Sequence, residues 1–173
     1  MQLDPAEFGE QGWRVLKEGI RSSRVIIDSS TDPQRAPTST TATRQFGVSS
    51  DALEGLWTHI IPLPSRAQAE ALSVTLLRRI QPNPNSVVTE VSERWLNEVN
   101  LRGTSNVIAL EKGTVGLGMT GRVLWIVAVV NNVAFGIGYG CLGDGWTLDR
   151  FVGVAQLQAD KIRAHVLPEI PSH

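Results

Sequence analysis

A thiol, an imidazole and a carboxylate are the side chains from which this sequence could assemble a nucleophilic site, with Cys141 as nucleophile, His59 as base and Asp144 orienting the base. Cys141 falls where a strand pattern gives way to a helix pattern, and a helix N-terminus lowers a thiol pKa. A lone cysteine is more often a small buried hydrophobe, however, and His59 can simply alternate outward along its strand. No spacing in the sequence brings the three together. The pattern G-x-G-x-x-G occurs as GYGCLG at 138–143 and again as GLGMTG at 116–121. Its chemistry would be the cradling of a dinucleotide pyrophosphate at a helix N-terminus. A strand follows the copy at 116–121, and only one helix follows the other, where a dinucleotide fold needs further β-α units. No cofactor is expected.

The three histidines, His59, His165 and His173, are widely separated, and turn formation and helix capping account for Asp144 and Asp149, so no metal site is expected. The sequence has neither a serine nucleophile elbow nor a phosphate-binding Walker loop. Nothing marks an enzyme, and a Cys141-dependent one is the third and least favoured reading, after a binding module and a structural subunit.

The elements that would position any site fit one domain, because 173 residues suffice for a real core. Hydrophobic residues make up 42% and charged residues 19%, with 16 Lys+Arg against 17 Asp+Glu, which argues against disorder and against a nucleic-acid partner. The nearest basic feature, Arg78 with Arg79, reads as a solvated helix face. With Cys141 alone, neither an internal disulfide nor a cysteine-based zinc site can form. The amino terminus, MQLDPAEFGEQGW, shows neither a basic n-region nor an apolar h-region. It fits a cytoplasmic start or an exported chain whose signal lies upstream, and the second is preferred here.

The most apolar run, RVLWIVAVVNNVAFGIGYG at 122–140, has the length of a membrane span but carries Asn131 and Asn132 at its centre. A β-hairpin accommodates them better, with the two asparagines as a type I′ turn. That register pairs Val130 with Val133, Ala128 with Phe135, Ile126 with Ile137 and Leu124 with Tyr139 on one apolar face. On the other face Val129 meets Ala134, Val127 meets Gly136, Trp125 meets Gly138 and Val123 meets Gly140. There a large side chain can lie over a bare glycine backbone. This second apolar face still needs a cover: the amino-terminal segment, a second subunit or a small apolar ligand.

Elsewhere, residues 13–28 read as two short strands, 29–41 as a loop, 42–48 as a strand, and 50–55 as a turn. A strand at 56–63 has Pro62 at an edge or an end. PSRAQAEALSVTLLRRIQP is a helix opened by a Ser65–Gln68 capping box, with a stripe of Ala69, Leu72, Leu76, Leu77 and Ile80, and Pro82 stops it. Over 83–100, Val87, Val88, Val91, Trp95, Leu96 and Val99 fit helical spacing while the first half is rich in β-branched residues, so a strand and then a short helix are expected, and a strand over 105–113. The last helix, with Thr147 as N-cap, presents Leu148, Phe151, Val152, Ala155, Ala159, Ile162 and Val166, and Pro168 ends it. The fold class is therefore α+β, an antiparallel sheet with two main helices packed largely on one face.

RQFGV followed by LWTHIIPLPSRAQAEAL, with its Leu63-Pro64-Ser65 step, and GRVLWIVAVVNNVAFGIGYG before a helix, together resemble the α+β sensor-type domains of actinobacterial exported proteins and lipoproteins. These include the extracellular domains of some receptor kinases. The resemblance spans roughly 42–166 and implies a non-enzymatic, extracytoplasmic binding or sensing domain; such domains often carry cysteine pairs, and this chain has one cysteine. The residues read as the contact surface are Trp125, Val127, Gly136, Gly138 and Gly140, with Trp146 beside the cleft under the 142–146 turn. The expected partner is a small apolar ligand or a protein, with a homodimer as the alternative.

Overall fold

A computed structural model describes residues 1–8, 12–27, 32, 36–48, 54–79 and 88–165. After a 3-10 turn at Pro5–Glu7 come β1 (Arg14–Arg24), β2 (Thr38–Gly47), β3 (Glu54–Pro62), α1 (Arg66–Arg79), β4 (Val88–Trp95), β5 (Ser105–Gly116), β6 (Met119–Val130), β7 (Val133–Leu142) and α2 (Leu148–His165). The strands form one sheet in the order β1-β2-β3-β7-β6-β5-β4, and every neighbouring pair is antiparallel. Two meanders, β1-β2-β3 and β4-β5-β6-β7, are thus joined edge to edge by β3 and β7. This joining makes α1 cross the second meander on its way from β3 to β4, and it rests on β5, β6 and β7. The fold is α+β, as the sequence indicates. Among the described residues no helix is long and apolar enough to cross a membrane.

The hairpin register is the expected one at every pair from Val123↔Gly140 to Val130↔Val133. Its run of apolar residues arises because β6 and β7 are central and covered on both sides, which removes the usual alternation. One face, through Leu124, Ile126, Ala128, Phe135, Ile137 and Tyr139, packs on Phe151, Ala155, Ala159 and Ile162 of α2. Leu3, Phe8 and Trp13 of the amino-terminal segment complete that layer. The opposite face, through Val129 and Ala134, packs on Ala69 and Leu72 of α1. The helices therefore lie on opposite faces rather than largely on one. The periodicity of each helix reports an apolar stripe, whereas the face it meets is set by the crossover of α1 and the return of the chain after β7.

Other expectations change for local reasons. Residues 14–24 form one strand rather than two, because Gly19 and the serines continue the ladder opposite Thr43, Thr40 and Ser39. The expected loop yields to β2 at Thr38. The short helix after β4 is absent, since Val88–Trp95 pairs with β5 on both sides of an irregularity at Val91 and the chain then turns. Pro62 closes a strand, as expected, but β3 is internal to the sheet. The Asn-Asn turn has Asn131 alone at positive φ (53°), whereas type I′ needs both central residues there. Asn132 instead clamps the turn to the start of the α1 crossover, donating from Nδ2 to the Leu63 carbonyl at 2.6 Å while its own carbonyl accepts from the Leu63 N–H at 2.9 Å. The Ser65 cap is half of a box: its hydroxyl accepts from the Gln68 N–H at 3.3 Å, and Gln68 Oε1 is buried without a partner among the described residues. Thr147 caps α2 as expected. The 50–55 turn lies mostly outside the described residues, as do the Leu77 side chain, Ile80, Pro82, Val87, Val166, Pro168 and His173.

β5 runs past Gly113 to Gly116 and turns through Leu117 and Gly118, at φ 52° and 76°. Both central residues thus have the positive φ of a type I′ turn, where leucine is strained by its Cβ. Leu117 is 63% exposed, so little packing offsets the strain. Leu117→Asn is expected to raise stability by about 1 kcal/mol, read as a higher thermal midpoint.

Candidate functional site

The sheet face that carries α1 is only partly covered by it. Strand register places Lys17, Gln45, Trp57, Gly138, Trp125, Leu110 and Trp95 in one transverse row across all seven strands, their side chains on that face. Directly opposed residues in antiparallel strands share a face, which fixes this row without reference to side-chain rotamers. Trp57 and Trp125 are half-buried and Trp95 is 52% exposed.

Glycines on β7 make room for the indoles. The six-membered ring of Trp125 lies where a Cβ on Gly138 would project, and the corresponding ring of Trp57 is 3.2 Å from a Cβ built on Gly140. Any side chain on Gly138 would displace the ring. The two indoles have centroids 6.2 Å apart and planes 23° from parallel. They form a nearly flat aromatic floor at the end of the region covered by α1. Trp57 was absent from the sequence expectation, although its position in the strand at 56–63 was legible; the missing information was that β3 pairs with β7.

Of the expected contact residues, Trp125, Gly138 and Gly140 are together on this floor. Val127 and Gly136 share its face but lie inside the layer with α1: Val127 is fully buried, and Leu76 stands 3.5 Å from a Cβ built on Gly136. Trp146 is on the opposite face, buried against Tyr139 and Trp13. The turn at 142–146 borders an open polar depression lined by Thr120, Gly121, Arg122, Gly143, Asp144 and Gly145, not an apolar cleft.

On the floor's β4 side, Lys112 is held 2.8 Å from Glu90 and 3.4 Å from Glu93. Burial pulls the Lys112 pKa down, but the two carboxylates outweigh it and leave the ammonium above its usual range. On the neighbouring row, His59 sits opposite Gly136 and burial lowers its pKa from the ordinary 6.5. The unfolded chain then takes up the proton first as pH falls below 6.5, so this residue withdraws stability on acidification down to its lower folded pKa. His59→Gln is expected to flatten the loss of stability between roughly pH 7 and 5 relative to wild type, measured by urea unfolding across that range.

The nucleophilic constellation does not assemble. Cys141 is buried in the α2 layer, while His59 projects from the α1 face on the far side of the sheet. Beside Cys141, the buried Tyr139 hydroxyl donates to the Glu54 carboxylate and accepts from the Trp146 backbone N–H at 2.8 Å. Burial, reinforced by the Glu54 hydrogen bond, pushes the phenol pKa strongly up. Tyr139 is therefore a neutral structural link that fastens β7 to β3 and to the approach to α2. Among the described residues no group of three or more His, Cys, Asp or Glu side chains is placed to hold a metal ion. No protein-family model, curated protein or solved structure matches the chain.

Proposed function

We propose that this chain is a non-catalytic binding module that receives its ligand on the Trp57 and Trp125 floor. The observation that carries the reading is the pair of half-buried, near-parallel indoles seated against glycine backbone on the part of the sheet that α1 leaves accessible. Flat aromatic surface on a rigid sheet gives large contact area at low entropic cost, as ligand surfaces require. The resemblance to exported sensor-type domains points to the same class of function. The test is native mass spectrometry of protein purified from its own source, under gentle and denaturing conditions. A small non-covalent mass on wild type that is missing from folded Trp125→Ala supports the module; its retention in Trp125→Ala counts against this face.

A second reading, a subunit of a homodimer or larger assembly, is favoured by the edge strand β4, where Val91 and Trp95 are 61% and 52% exposed. Sedimentation at several concentrations separates the two. A dimer that Trp95→Ser dissociates supports the subunit reading, and a monomer at all concentrations removes its homodimer form.

A further inference from the structure

We propose that the ligand of this floor is a linear, equatorially linked glycan, whose pyranose rings stack on Trp57, Trp125 and Trp95 in turn. The inference rests on the binding reading above and names its ligand class.

The shape of the floor selects among ligands that tryptophan can hold. A quaternary ammonium group takes rings that converge as a box, yet Trp57 and Trp125 are only 23° from parallel, with their benzo rings laid against the sheet. A lipid tail or compact apolar ligand takes an enclosing pocket, whereas this surface is flat. A pyranose with equatorial substituents has flat faces of C–H bonds and a rim of hydroxyls. It needs an aromatic floor below and hydrogen-bonding groups at the side.

The row supplies both, with Leu110, buried in the cluster that includes Leu76 of α1, standing between Trp125 and Trp95. Trp57, Trp125 and Trp95 occupy β3, β6 and β4, every second strand of the order β3-β7-β6-β5-β4. With strands about 4.8 Å apart, such backbone anchor points recur about every 10 Å. Repeated contacts along a line suit a ligand that is itself a linear repeat. Gln45 and Lys17 extend the row beyond Trp57, on β2 and β1. At the flank, Lys112 is balanced by Glu90 and Glu93, so the rim offers donors and acceptors for hydroxyls without demanding a charged ligand. The Trp57 and Trp125 pair alone would also serve a single planar aromatic ligand, and Trp95 is what favours an extended one.

The test titrates the full chain with cellohexaose and chitohexaose, with the matching disaccharides, and with maltohexaose as an α-linked control, following tryptophan fluorescence and indole N–H resonances. The expected result is saturable binding of at least one β-linked hexasaccharide, at least about tenfold tighter than its disaccharide, with maltohexaose inert. Trp57→Ala and Trp125→Ala should each weaken hexasaccharide binding about tenfold or more. Because either variant could unfold once its glycines are uncovered, Trp95→Ala, at an exposed position, supplies the independent arm. It should weaken the hexasaccharide several-fold more than it weakens the disaccharide.

No saturable binding of either β-linked hexasaccharide overturns the proposal, and so does binding that is indifferent to both linkage and Trp95→Ala. If no glycan binds while a co-purified small mass is still lost in Trp125→Ala, the ligand class is wrong and the binding reading stands. If no glycan binds and no mass depends on Trp125, both fall.

Discussion

Trp146→Ala is expected to lower the free energy of unfolding by about 3–5 kcal/mol, the range for deleting a large aromatic side chain from a core. Trp146 is 4% exposed and lies between two rings, with Tyr139 at 4.6 Å and 8° and Trp13 at 5.4 Å and 23°. Phe8 meets it edge-on at 6.0 Å, and the Arg150 guanidinium stands 5.0 Å from its centroid. Each such aromatic pair contributes about 0.5–1.5 kcal/mol beyond the area it buries. Truncation also opens the layer that joins the amino-terminal segment to α2, and water or collapse must fill the gap. The measurement is urea unfolding, with a lower midpoint at unchanged slope. Trp146→Phe should recover part of the loss. A deficit under about 1 kcal/mol for the alanine variant would remove the structural account of this residue and return it to the ligand-contact role that its place beside the 142–146 turn first suggested.

Gly138→Ala is the second large effect, an expected destabilisation of about 1–3 kcal/mol from overpacking. The new methyl group would occupy the space of the Trp125 six-membered ring, so the indole must swing off the sheet. A redder tryptophan emission should accompany the loss. The decisive comparison is a double-mutant cycle with Trp125→Ala: if Gly138 exists to seat this indole, the alanine at 138 should cost much less once the ring is gone. The difference between the two costs is the coupling energy of the pair. Strictly additive effects would mean that the glycine serves something other than Trp125. Gly140→Ala is the milder control, since its Cβ would approach Trp57 only to 3.2 Å and that ring can give slightly.

These expectations rest unevenly on the sequence. The β6–β7 hairpin was legible because two polar residues interrupt an apolar run in the place where a tight turn must sit, and a two-residue turn fixes every pair behind it. The opposition of Trp125 and Gly138 followed directly. The two main helices were legible from their caps and stripes. That 14–24 is one strand rather than a pair, and that the strand expected early in 83–100 runs on to Trp95, were not, because edge strands are exposed on much of their surface and so lose the apolar alternation that marks a strand.

What the sequence by itself determined is local: the α+β class, the antiparallel hairpin and its register, the two helices, and the pairing of one tryptophan with one glycine. Only the tertiary structure decided that β3 lies against β7, which brings Trp57 to Trp125, and that α1 and α2 cover opposite faces. It also separated Cys141 from His59 and buried Trp146 away from the floor. The physical reason is that periodicity records how far along the chain a face repeats, while the partner of that face is chosen by pairing between segments distant in sequence. Trp57 and Gly138 are neighbours in the sheet because β3 and β7 are the free edges of two meanders, a relation that no local spacing encodes.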